Sequence, residues 1–396
     1  MRLRKLIGLV GGAAALRRLP DTRLRIAVVT SNLAKFDGIS GGVQHTIRAV
    51  SSVPNWEVSV FSPINEIAEI PGHLVNSANE LSSHPAFREA DVIIYHFGFY
   101  HDLFEVMKGG NGHARQIVFF HNITPEKYLP PEMRAVIRRS FEQLAKLLHA
   151  DWLWPISKTN ADVLLNAGVD PARVEIIPPV VEWPPAFELG GKQTSPIQIL
   201  FVGRIIQLKG VTDLVRAVRL VRLRCSVPFR VKIVGRIAAP DDDYYLTVKE
   251  TIQTCELAQT VELLGVMESN DLASLYRHAH ILAIPSYHEG FCRPVAEGLR
   301  AGCIPVGYSS YNIPRVTNGL GRLVAPGDVA ALADALGIMI EAVVRAGASP
   351  STVELPLDGG PLTIAKYGAA AAIHVNQFSF DNLCRSVTDR IRVLSA

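Results

Sequence analysis

Two glutamates, Glu289 and Glu297, stand eight positions apart just after the apolar run His280–Tyr287. Pro294 suits the first turn of a helix, so the sequence predicts Glu289 in the loop before that helix and Glu297 one turn inside it. Carboxylate oxygens accept hydrogen bonds from hydroxyl groups. The two residues could therefore hold a long, hydroxyl-rich ligand at two points, although this spacing taken alone also occurs by chance.

Two cations follow an earlier apolar run of the same half of the chain. Arg204 comes directly after Ile197–Gly203, and Lys209 and Gly210 precede the helical pattern Val211–Val221. Fixed cations beside a helix start suit a diphosphate, because backbone amides and the helix dipole add to their charge. Together with the glutamates they match a nucleotide sugar, which carries hydroxyl groups at both ends and two phosphates between. For the cations alone, an exposed loop arginine and lysine are an equally good interpretation.

The first half of the chain offers weaker signals. The segment Ser40–His45, which contains Gly41 and Gly42, is predicted to be a loop that opens a helix, where glycines let the backbone approach a ligand closely. His121 ends the apolar run Gln116–Asn122. A plain strand-to-helix turn and a structural histidine are the alternatives. Ser157 is interpreted as a helix cap.

The elements that must position these residues alternate between short apolar runs and helical patterns, and 396 residues suffice for two domains. This alternation predicts an α/β protein with two tandem, doubly wound parallel sheets, because such sheets are covered by helices on both faces. The candidate strands are Leu24–Ser31, Trp56–Pro63, Ala90–Phe97, Gln116–Asn122, Asp151–Ser157, Val174–Val181, Ile197–Arg204, Phe229–Arg236, Thr260–Met267, His280–Tyr287, Ile304–Ser310 and Gly321–Ala325.

The chain divides into five predicted parts. Residues 1–23 form a basic segment, 24–182 a first lobe, 183–196 a linker rich in proline and glycine, 197–360 a second lobe and 361–396 a helical segment. We predict that the last part could simply extend the second lobe.

The stretches FVGRIIQLKG (Phe201–Gly210) and PSYHEGFCRPVAEGLRAGCIPV (Pro285–Val306) resemble the retaining GT-B glycosyltransferases, the large family 4 group that includes bacterial mannosyl- and glucosyltransferases. The similarity continues through Gly321–Asp328. It implies a GT-B architecture, in which two Rossmann-like lobes face a central cleft. It also implies transfer of a hexose from a nucleotide-diphosphate sugar to an acceptor hydroxyl with retention, in lipid-linked surface-polysaccharide or glycoconjugate assembly.

The resemblance also implies roles for the residues of the second lobe. Arg204 and Lys209 would bind the donor diphosphate, and Glu297 the ribose. Glu289 would serve the transferred sugar together with the amides near Gly290 and Phe291.

In the first lobe, the resemblance places Gly41 and Gly42 opposite the donor phosphates and His121 beside the transferred sugar. His121 and Glu289 are thereby the predicted catalytic residues.

Three departures from the family pattern affect the donor site. Cys292 stands where glycine is usual, and Arg293 where an apolar residue is common. Residues Tyr311–Arg315 replace a family Gly-Gly-x-Pro-Glu turn. The identity of the donor therefore does not follow from the resemblance.

We expect neither an essential metal nor a cofactor, because the nucleotide sugar is itself the substrate. Asp241, Asp242 and Asp243 are interpreted as an acidic helix start, not as a metal motif. The five cysteines have no paired or metal-like spacing, which favours a reducing compartment without disulfides. A net charge of +3 is too small for a dedicated nucleic-acid binder.

Residues 1–25 carry seven basic residues and one acid around the short apolar stretch Leu6–Leu16, which cannot span a bilayer. It is predicted to lie on an anionic membrane surface, with a frayed terminus as the alternative. A secretory signal is disfavoured. We therefore expect a cytoplasmic protein, peripheral at the inner membrane face, whose acceptor is a saccharide or a lipid-linked saccharide.

Two other functions fit the same fold. A non-hydrolysing nucleotide-sugar epimerase would convert the donor without an acceptor. A catalytically inactive descendant would bind a nucleotide sugar without turnover.

Overall fold

The computed structural model describes residues 23–35, 37–128, 131–237 and 242–395. The predicted basic segment lies outside this range except for Arg23, which pairs with Glu57 at 2.5 Å. Within the described ranges, no helix is both long and apolar enough to cross a membrane.

The first lobe is built on a six-stranded parallel sheet with the spatial order β3-β2-β1-β4-β5-β6. Its strands are β1 (Leu24–Thr30), β2 (Trp56–Ser62), β3 (His73–Leu74), β4 (Val92–Phe97), β5 (Arg115–Phe120) and β6 (Trp152–Pro155). Its helices are α1 (Gly38–Ser51), α2 (Ala78–Ser83), α3 (Pro85–Arg88), α4 (Pro131–Leu144) and α5 (Lys158–Asn166). Ser157 caps α5, as predicted, by accepting a hydrogen bond from the Asn160 amide.

The second lobe repeats this plan with a sheet of the order β12-β11-β10-β7-β8-β9. Its strands are β7 (Ile197–Val202), β8 (Phe229–Val234), β9 (Val261–Gly265), β10 (Ile281–Ile284), β11 (Ile304–Tyr308) and β12 (Arg322–Val324). Its helices are α6 (Val211–Arg224), α7 (Asp243–Thr254), α8 (Ser269–His278), α9 (Arg293–Arg300), α10 (Ile313–Thr317) and α11 (Val329–Ala348).

The predicted fold class is confirmed. In the first sheet, alternate residues of β1 enter two separate apolar cores: Ile26 and Val28 lie in one, Ala27 and Val29 in the other. Because both faces of the central strands are buried, these strands appear in the sequence as continuous apolar runs. Both sheets reverse their winding direction once, between β1 and β4 and between β7 and β10. Ligands of such sheets bind at the carboxyl ends of the strands at this switch point.

Local structure departs from the predictions at one predicted strand and at three short strands that were not predicted. The predicted strand Val174–Val181 is wrong: this segment runs beside β6 for two backbone hydrogen bonds, from Glu175 to Leu153 and from Ile177 to Pro155, and then stops. Pro178 and Pro179 follow and have no amide hydrogen to donate. Short β3 and the hairpin β13 (Glu354–Leu355) and β14 (Leu362–Thr363) were not predicted.

The carboxyl-terminal segment is shared between the lobes instead of simply extending the second one. Helix α12 (Ile364–Asn376) buries Tyr367, Ala371 and Val375 in the core of the second lobe. Helix α13 (Phe380–Leu394) returns to the first lobe, where four of its apolar side chains join the core beside α1. These side chains are Phe380, Leu383, Val387 and Ile391.

A half-buried lysine, Lys192, fixes the predicted linker to the second lobe. Lys192 Nζ donates to the carbonyl oxygens of Tyr276, Ala279 and Ala301, at 3.3, 2.5 and 2.6 Å. These carbonyls lie at the carboxyl ends of α8 and α9. Helix ends of this kind favour a cation, because their last carbonyls lack partners within the helix.

Lys192→Met should therefore lower the free energy of unfolding by about 2 kcal/mol, because the apolar stem is preserved while the charged hydrogen bonds are lost. Urea denaturation measures the change. Lys366→Met, at an exposed position on α12, is the matched control. Equal stability of the two variants would show that Lys192 is not a structural cap.

Candidate active site

The second lobe brings Lys209 and Glu289 into direct contact. Lys209 Nζ lies 2.6 Å from Glu289 Oε1, and the two side chains are only 15% and 13% exposed. Lys209 ends the loop after β7 and Glu289 lies in the loop after β10, so the pair occupies the switch point of this sheet. The residue predicted to bind the diphosphate and the residue predicted to bind the sugar are therefore neighbours.

Close backbone packing produces this contact. Tyr287 donates its amide hydrogen to the Leu208 carbonyl, at 2.9 Å. Gly210 adopts a left-handed φ of 65°, and a Cβ atom there would lie 2.1 Å from the Pro285 carbonyl oxygen. Only glycine lets the two loops approach so closely.

Arg204 follows β7, and the backbone amides of Gly290 and Phe291 follow β10, as predicted. Arg204 is exposed just beyond the end of β7. Phe291 turns its ring into the core, against Phe378 at 5.1 Å between centroids. Gly290 and Phe291 can therefore serve a ligand only through their backbone amides.

Glu297 lies inside α9 as predicted, but both of its oxygens already have neighbours. Tyr276 donates its hydroxyl hydrogen to Oε2 at 3.0 Å, and Arg293 Nε lies 3.5 Å from Oε1. Burial raises the pKa of the Glu297 carboxyl, which is 8% exposed, whereas Arg293 acts to lower it. The unusual Arg293 is therefore the residue that supplies a counter-charge here.

The other single-residue departure, Cys292, has a backbone explanation. Its φ is 75°, in the left-handed region where glycine is the favoured residue. The side chain is 3% exposed, and burial raises the pKa of its thiol well above the usual range. Cys292 thus occupies a glycine-type conformation as a neutral, packed thiol.

The glycine segment of the first lobe is already helical. Asp37 caps α1 by accepting from the Ser40 amide at 2.8 Å, and Gly41 and Gly42 lie in the first turns of the helix. Ser40–His45 opens a helix, as predicted, but the helix begins earlier, at Gly38, because Asp37 caps it, so the two glycines lie in the helix and not in a loop.

His121 is a buried, neutral imidazole. It is 7% exposed, and burial lowers its pKa to about 4. His121 Nε2 lies 2.8 Å from Nδ1 of His96, the penultimate residue of β4. His96 is missed by the sequence reasoning, although a polar residue within the apolar run Val92–Phe97 was a usable signal.

The two glycines lie close to residues of both lobes. A Cβ atom at Gly42 would lie 2.7 Å from His121 Cε1, and one at Gly41 would lie 3.1 Å from Nη1 of Arg293, in the second lobe. The start of α1 therefore faces both His121 and the helix that carries Glu297.

Asn122 makes a further contact between the two lobes. Its Nδ2 lies 3.0 Å from Nε2 of His288, and its Cβ would be 2.8 Å from a Cβ added at Gly290. The predicted sugar-end residues His121 and Glu289 thus belong to loops that touch each other.

A carboxylate network behind the site was not predicted. Asp213, in the first turn of α6, accepts hydroxyl hydrogens from Tyr287 and Tyr308 at 2.5 and 2.9 Å. Tyr287 is two residues from Glu289, so this network holds the loop that carries the glutamate.

Asp242 caps α7 by accepting a hydrogen bond from the Tyr245 amide, as expected for an acidic helix start; Asp241 lies outside the described residues.

Stability should fall on acidification because several histidines are buried in the neutral form. Burial lowers the pKa of His121, His280 and His288 to about 4, and that of His96 further. The unfolded chain, with ordinary values near 6.5, binds these protons more readily. The free energy of unfolding should thus decrease between about pH 6.5 and about pH 4, by about 1–2 kcal/mol per histidine at about pH 5.

Urea denaturation at about pH 7.5 and about pH 5 measures this loss. His280 accepts from the Gln198 amide at 3.1 Å, so His280→Asn keeps an acceptor while removing one titrating group. The variant should lose less stability on acidification than the wild type. An equal loss in both proteins would contradict the assignment.

The second lobe matches a known family. Residues 186–342 match the family model described as glycosyl transferases group 1. Among curated relatives, the D-inositol 3-phosphate glycosyltransferase of Mycobacteroides abscessus is 31% identical over 212 residues, 50% of this chain and 46% of the relative. The MMP alpha-(1->4)-mannosyltransferase of Mycolicibacterium hassiacum is 27% identical over 188 residues, 47% of this chain and 44% of the relative. The chain thus spans about half the length of the curated relatives it matches.

Solved structures match both lobes. Sucrose-phosphate synthase from Thermosynechococcus elongatus superimposes with a TM-score of 0.68 at 17% identity, over 93% of this chain and 99% of that one. Anabaena HepE, in complex with UDP and glucose, gives a TM-score of 0.69 at 15% identity, over 93% and 99%. At these identities the likeness establishes the fold. Residues 186–342 therefore resemble the glycosyl transferases group 1 family, in a chain whose two lobes have the GT-B fold.

Proposed function

We propose that this chain transfers a hexose from a nucleoside-diphosphate sugar to an acceptor hydroxyl, with retention of configuration. The observation that carries the proposal is the nearly buried Lys209–Glu289 pair at the switch point of the group 1 domain. The Lys209 ammonium group can contact the diphosphate, and the adjacent Glu289 carboxylate can contact the sugar. The loop of His121, in the first lobe, faces this pair.

On this proposal Lys209 turns from Glu289 to the donor diphosphate when the donor binds. Arg204, exposed just beyond the end of β7 in the same loop as Lys209, adds a second cation. The freed Glu289 carboxylate accepts hydrogen bonds from sugar hydroxyls, and the amides of Gly290 and Phe291 donate to the same ligand. The apolar ring of Phe291 holds these amides in place through its packing on Phe378.

Glu297 is proposed to bind the ribose. Both of its carboxylate oxygens already have protein partners, so one oxygen must leave its partner to accept a hydrogen bond from a ribose hydroxyl. The Arg293 contact, at 3.5 Å, is weaker than the Tyr276 hydrogen bond at 3.0 Å. Oε1 is therefore the oxygen that changes partner, while Tyr276 keeps the carboxylate in position.

The first lobe is proposed to act on the sugar side. His121 is neutral, and its contact with His96 uses Nε2, so Nδ1 remains for a hydroxyl group of the transferred sugar. Gly42 leaves the space beside this ring open, because a side chain there would collide with His121.

In the proposed reaction the bond between C1 of the sugar and the diphosphate oxygen breaks, and its electron pair leaves with the nucleoside diphosphate. Lys209, Arg204 and the loop amides stabilise the charge that develops on that oxygen. The acceptor oxygen bonds to C1 on the same face, and its proton passes to the departing diphosphate oxygen. Because the protein supplies the compensating charge, we propose that no metal is essential.

A thermal-shift screen with UDP-, GDP- and ADP-sugars tests the proposal, since a ligand that binds only the folded chain raises its apparent stability. We expect one nucleotide class to stabilise the protein, and to support transfer to added saccharides in the presence of EDTA. Conversion of the donor to another nucleotide sugar without acceptor would favour an epimerase instead. Binding without any turnover would favour an inactive descendant, and no stabilisation by any donor would refute the proposal.

We also propose that the acceptor is carried on a lipid at the cytoplasmic membrane face. Support comes from the seven basic residues within residues 1–25 and from the fold shared with WaaG, a glycosyltransferase involved in lipopolysaccharide biosynthesis. Full-length protein should sediment with anionic vesicles, and protein lacking residues 1–20 should not. Equal binding of both forms would reject the membrane contact of this segment.

A further inference from the structure

Three aromatic rings from both lobes meet beside the candidate active site. Tyr128 belongs to the first lobe, seven residues after His121, whereas His288 and Tyr311 belong to the second. The His288 and Tyr311 ring centroids are 4.2 Å apart, and Tyr128 lies 5.9 Å from His288 and 6.4 Å from Tyr311. We call these three residues the aromatic cluster. Of the three residues, only Tyr311 lies in the segment Tyr311–Arg315, which replaces the family Gly-Gly-x-Pro-Glu turn.

His288 has a hydrogen-bonding position without a partner. The residue is 4% exposed, and burial lowers its pKa to about 4, so the ring is neutral. Asn122 Nδ2 donates to Nε2, which places the ring proton on Nδ1. Among the residues that the structure describes, nothing accepts a hydrogen bond from Nδ1. A buried donor left unpaired is costly, by about 1–3 kcal/mol, unless a ligand pairs with it.

Tyr311 is held in an unfavourable backbone conformation. Its φ is 46°, in the left-handed region, and the residue is 39% exposed. Its neighbours fix this geometry: Ser310 Oγ donates to the Ser286 carbonyl at 2.5 Å, and Asn312 Nδ2 donates to the Phe291 carbonyl at 3.0 Å. Glycine would fit this position without strain. A large ring retained here at a backbone cost indicates a function for the ring.

The chemical groups of the aromatic cluster indicate which class of ligand it binds. Aromatic rings pack against the apolar C–H face of a pyranose, and the neutral Nδ1–H donates to a hydroxyl oxygen. No carboxylate or cation belongs to the cluster itself, although Lys127 Nζ lies 4.7 Å from the Tyr128 ring centroid. The surface thus fits an uncharged sugar better than a phosphate or a uronic acid.

We propose that Tyr128, His288 and Tyr311 form the subsite for a neutral hexopyranose of the acceptor, with His288 Nδ1–H donating to one of its hydroxyl groups. The inference rests on the proposed glycosyl transfer. The acceptor is assigned to this subsite because the donor sugar already has other proposed partners. These partners are His121, Glu289 and the amides of Gly290 and Phe291, none of which belongs to the aromatic cluster.

Saturation-transfer NMR on the full chain tests the subsite, with UDP or GDP present according to which one stabilises the protein. The probes are the methyl glycosides of glucose, mannose and galactose. The wild type should transfer saturation to the C–H protons of at least one glycoside. Tyr311→Phe should retain this, whereas Tyr311→Asn, which tolerates the left-handed backbone, should bind the glycoside about ten-fold more weakly. His288→Asn, which keeps an amide donor near Nδ1, should bind better than His288→Ala.

Nucleotide binding, followed by thermal shift on the same samples, separates this inference from the proposed function. Tyr245→Ala, on α7 outside the cluster, is the control for loss of a partly exposed ring. The subsite is refuted if no glycoside receives saturation from the wild type, or if Tyr311→Asn binds as well as Tyr311→Phe. Equal loss of nucleotide and glycoside binding in Tyr311→Asn would instead mean that the rings only hold the lobes together, which also refutes it. Failure of nucleotide binding in the wild type would overturn the proposed function itself.

Discussion

Glu289→Gln should lower kcat/KM for sugar transfer by about 10²-fold, because glutamine cannot supply the charged acceptor that sugar hydroxyls require. The nucleoside diphosphate alone should bind at least as tightly as it binds the wild type. In the wild type Glu289 competes with the diphosphate for Lys209, at 2.6 Å, and a neutral amide competes less. Steady-state kinetics and calorimetry with the nucleoside diphosphate measure the two effects.

The opposite signs of these effects make the prediction specific. A general loss of folding would weaken both transfer and nucleotide binding. Glu262→Gln, at an exposed position of β9, is the matched control and should change neither. Weaker binding of the nucleoside diphosphate to the Glu289 variant would show that the ion pair organises the diphosphate site instead of competing with it.

The fold was accessible to sequence reasoning because its signals are local. Strands buried on both faces appear as apolar runs, and eleven of the twelve predicted runs contain a strand of one of the two sheets. The exception, Val174–Val181, is an apolar run in which two prolines prevent further pairing. The sequence did not predict that α13 packs against the first lobe. An amphipathic pattern indicates that one face of a helix is buried, but it does not indicate which lobe buries that face.

The candidate site was accessible only as a set of separate residues. The positions of the strand ends indicated which loops would lie together, since residues after parallel strands meet at one edge of a sheet. The contact between Lys209 and Glu289 depends on tertiary packing that the sequence does not encode locally. It requires the Pro285 carbonyl to approach Gly210 so closely that a Cβ atom would lie 2.1 Å from it.

The structure explains the departures from the family pattern. Cys292 and Tyr311 both adopt left-handed φ values, 75° and 46°, at positions where the related pattern has glycine. The backbone has therefore kept a glycine-type geometry while the side chains changed. Arg293 gives Glu297 a nearby cation, at 3.5 Å, and approaches the start of α1 across the cleft.

The second large effect is expected for Lys209→Met, which should weaken binding of both the donor and the nucleoside diphosphate by about 10- to 150-fold, corresponding to about 1.5–3 kcal/mol for a charged hydrogen bond. Glu289 would lose its partner in the same variant and repel the diphosphate, which adds to the loss. Calorimetric titration measures it, with Lys366→Met as the control for removing one surface cation.

The double variant Lys209→Met, Glu289→Gln then separates the two contributions. If the unpaired carboxylate causes part of the loss, the double variant should bind the nucleoside diphosphate more tightly than Lys209→Met alone, because its glutamine carries no charge. If the double variant binds no better, the whole effect belongs to the missing contact between Lys209 and the phosphates. Unchanged affinity in Lys209→Met would remove this lysine from the donor site, and with it the ion pair as the basis of the proposed function.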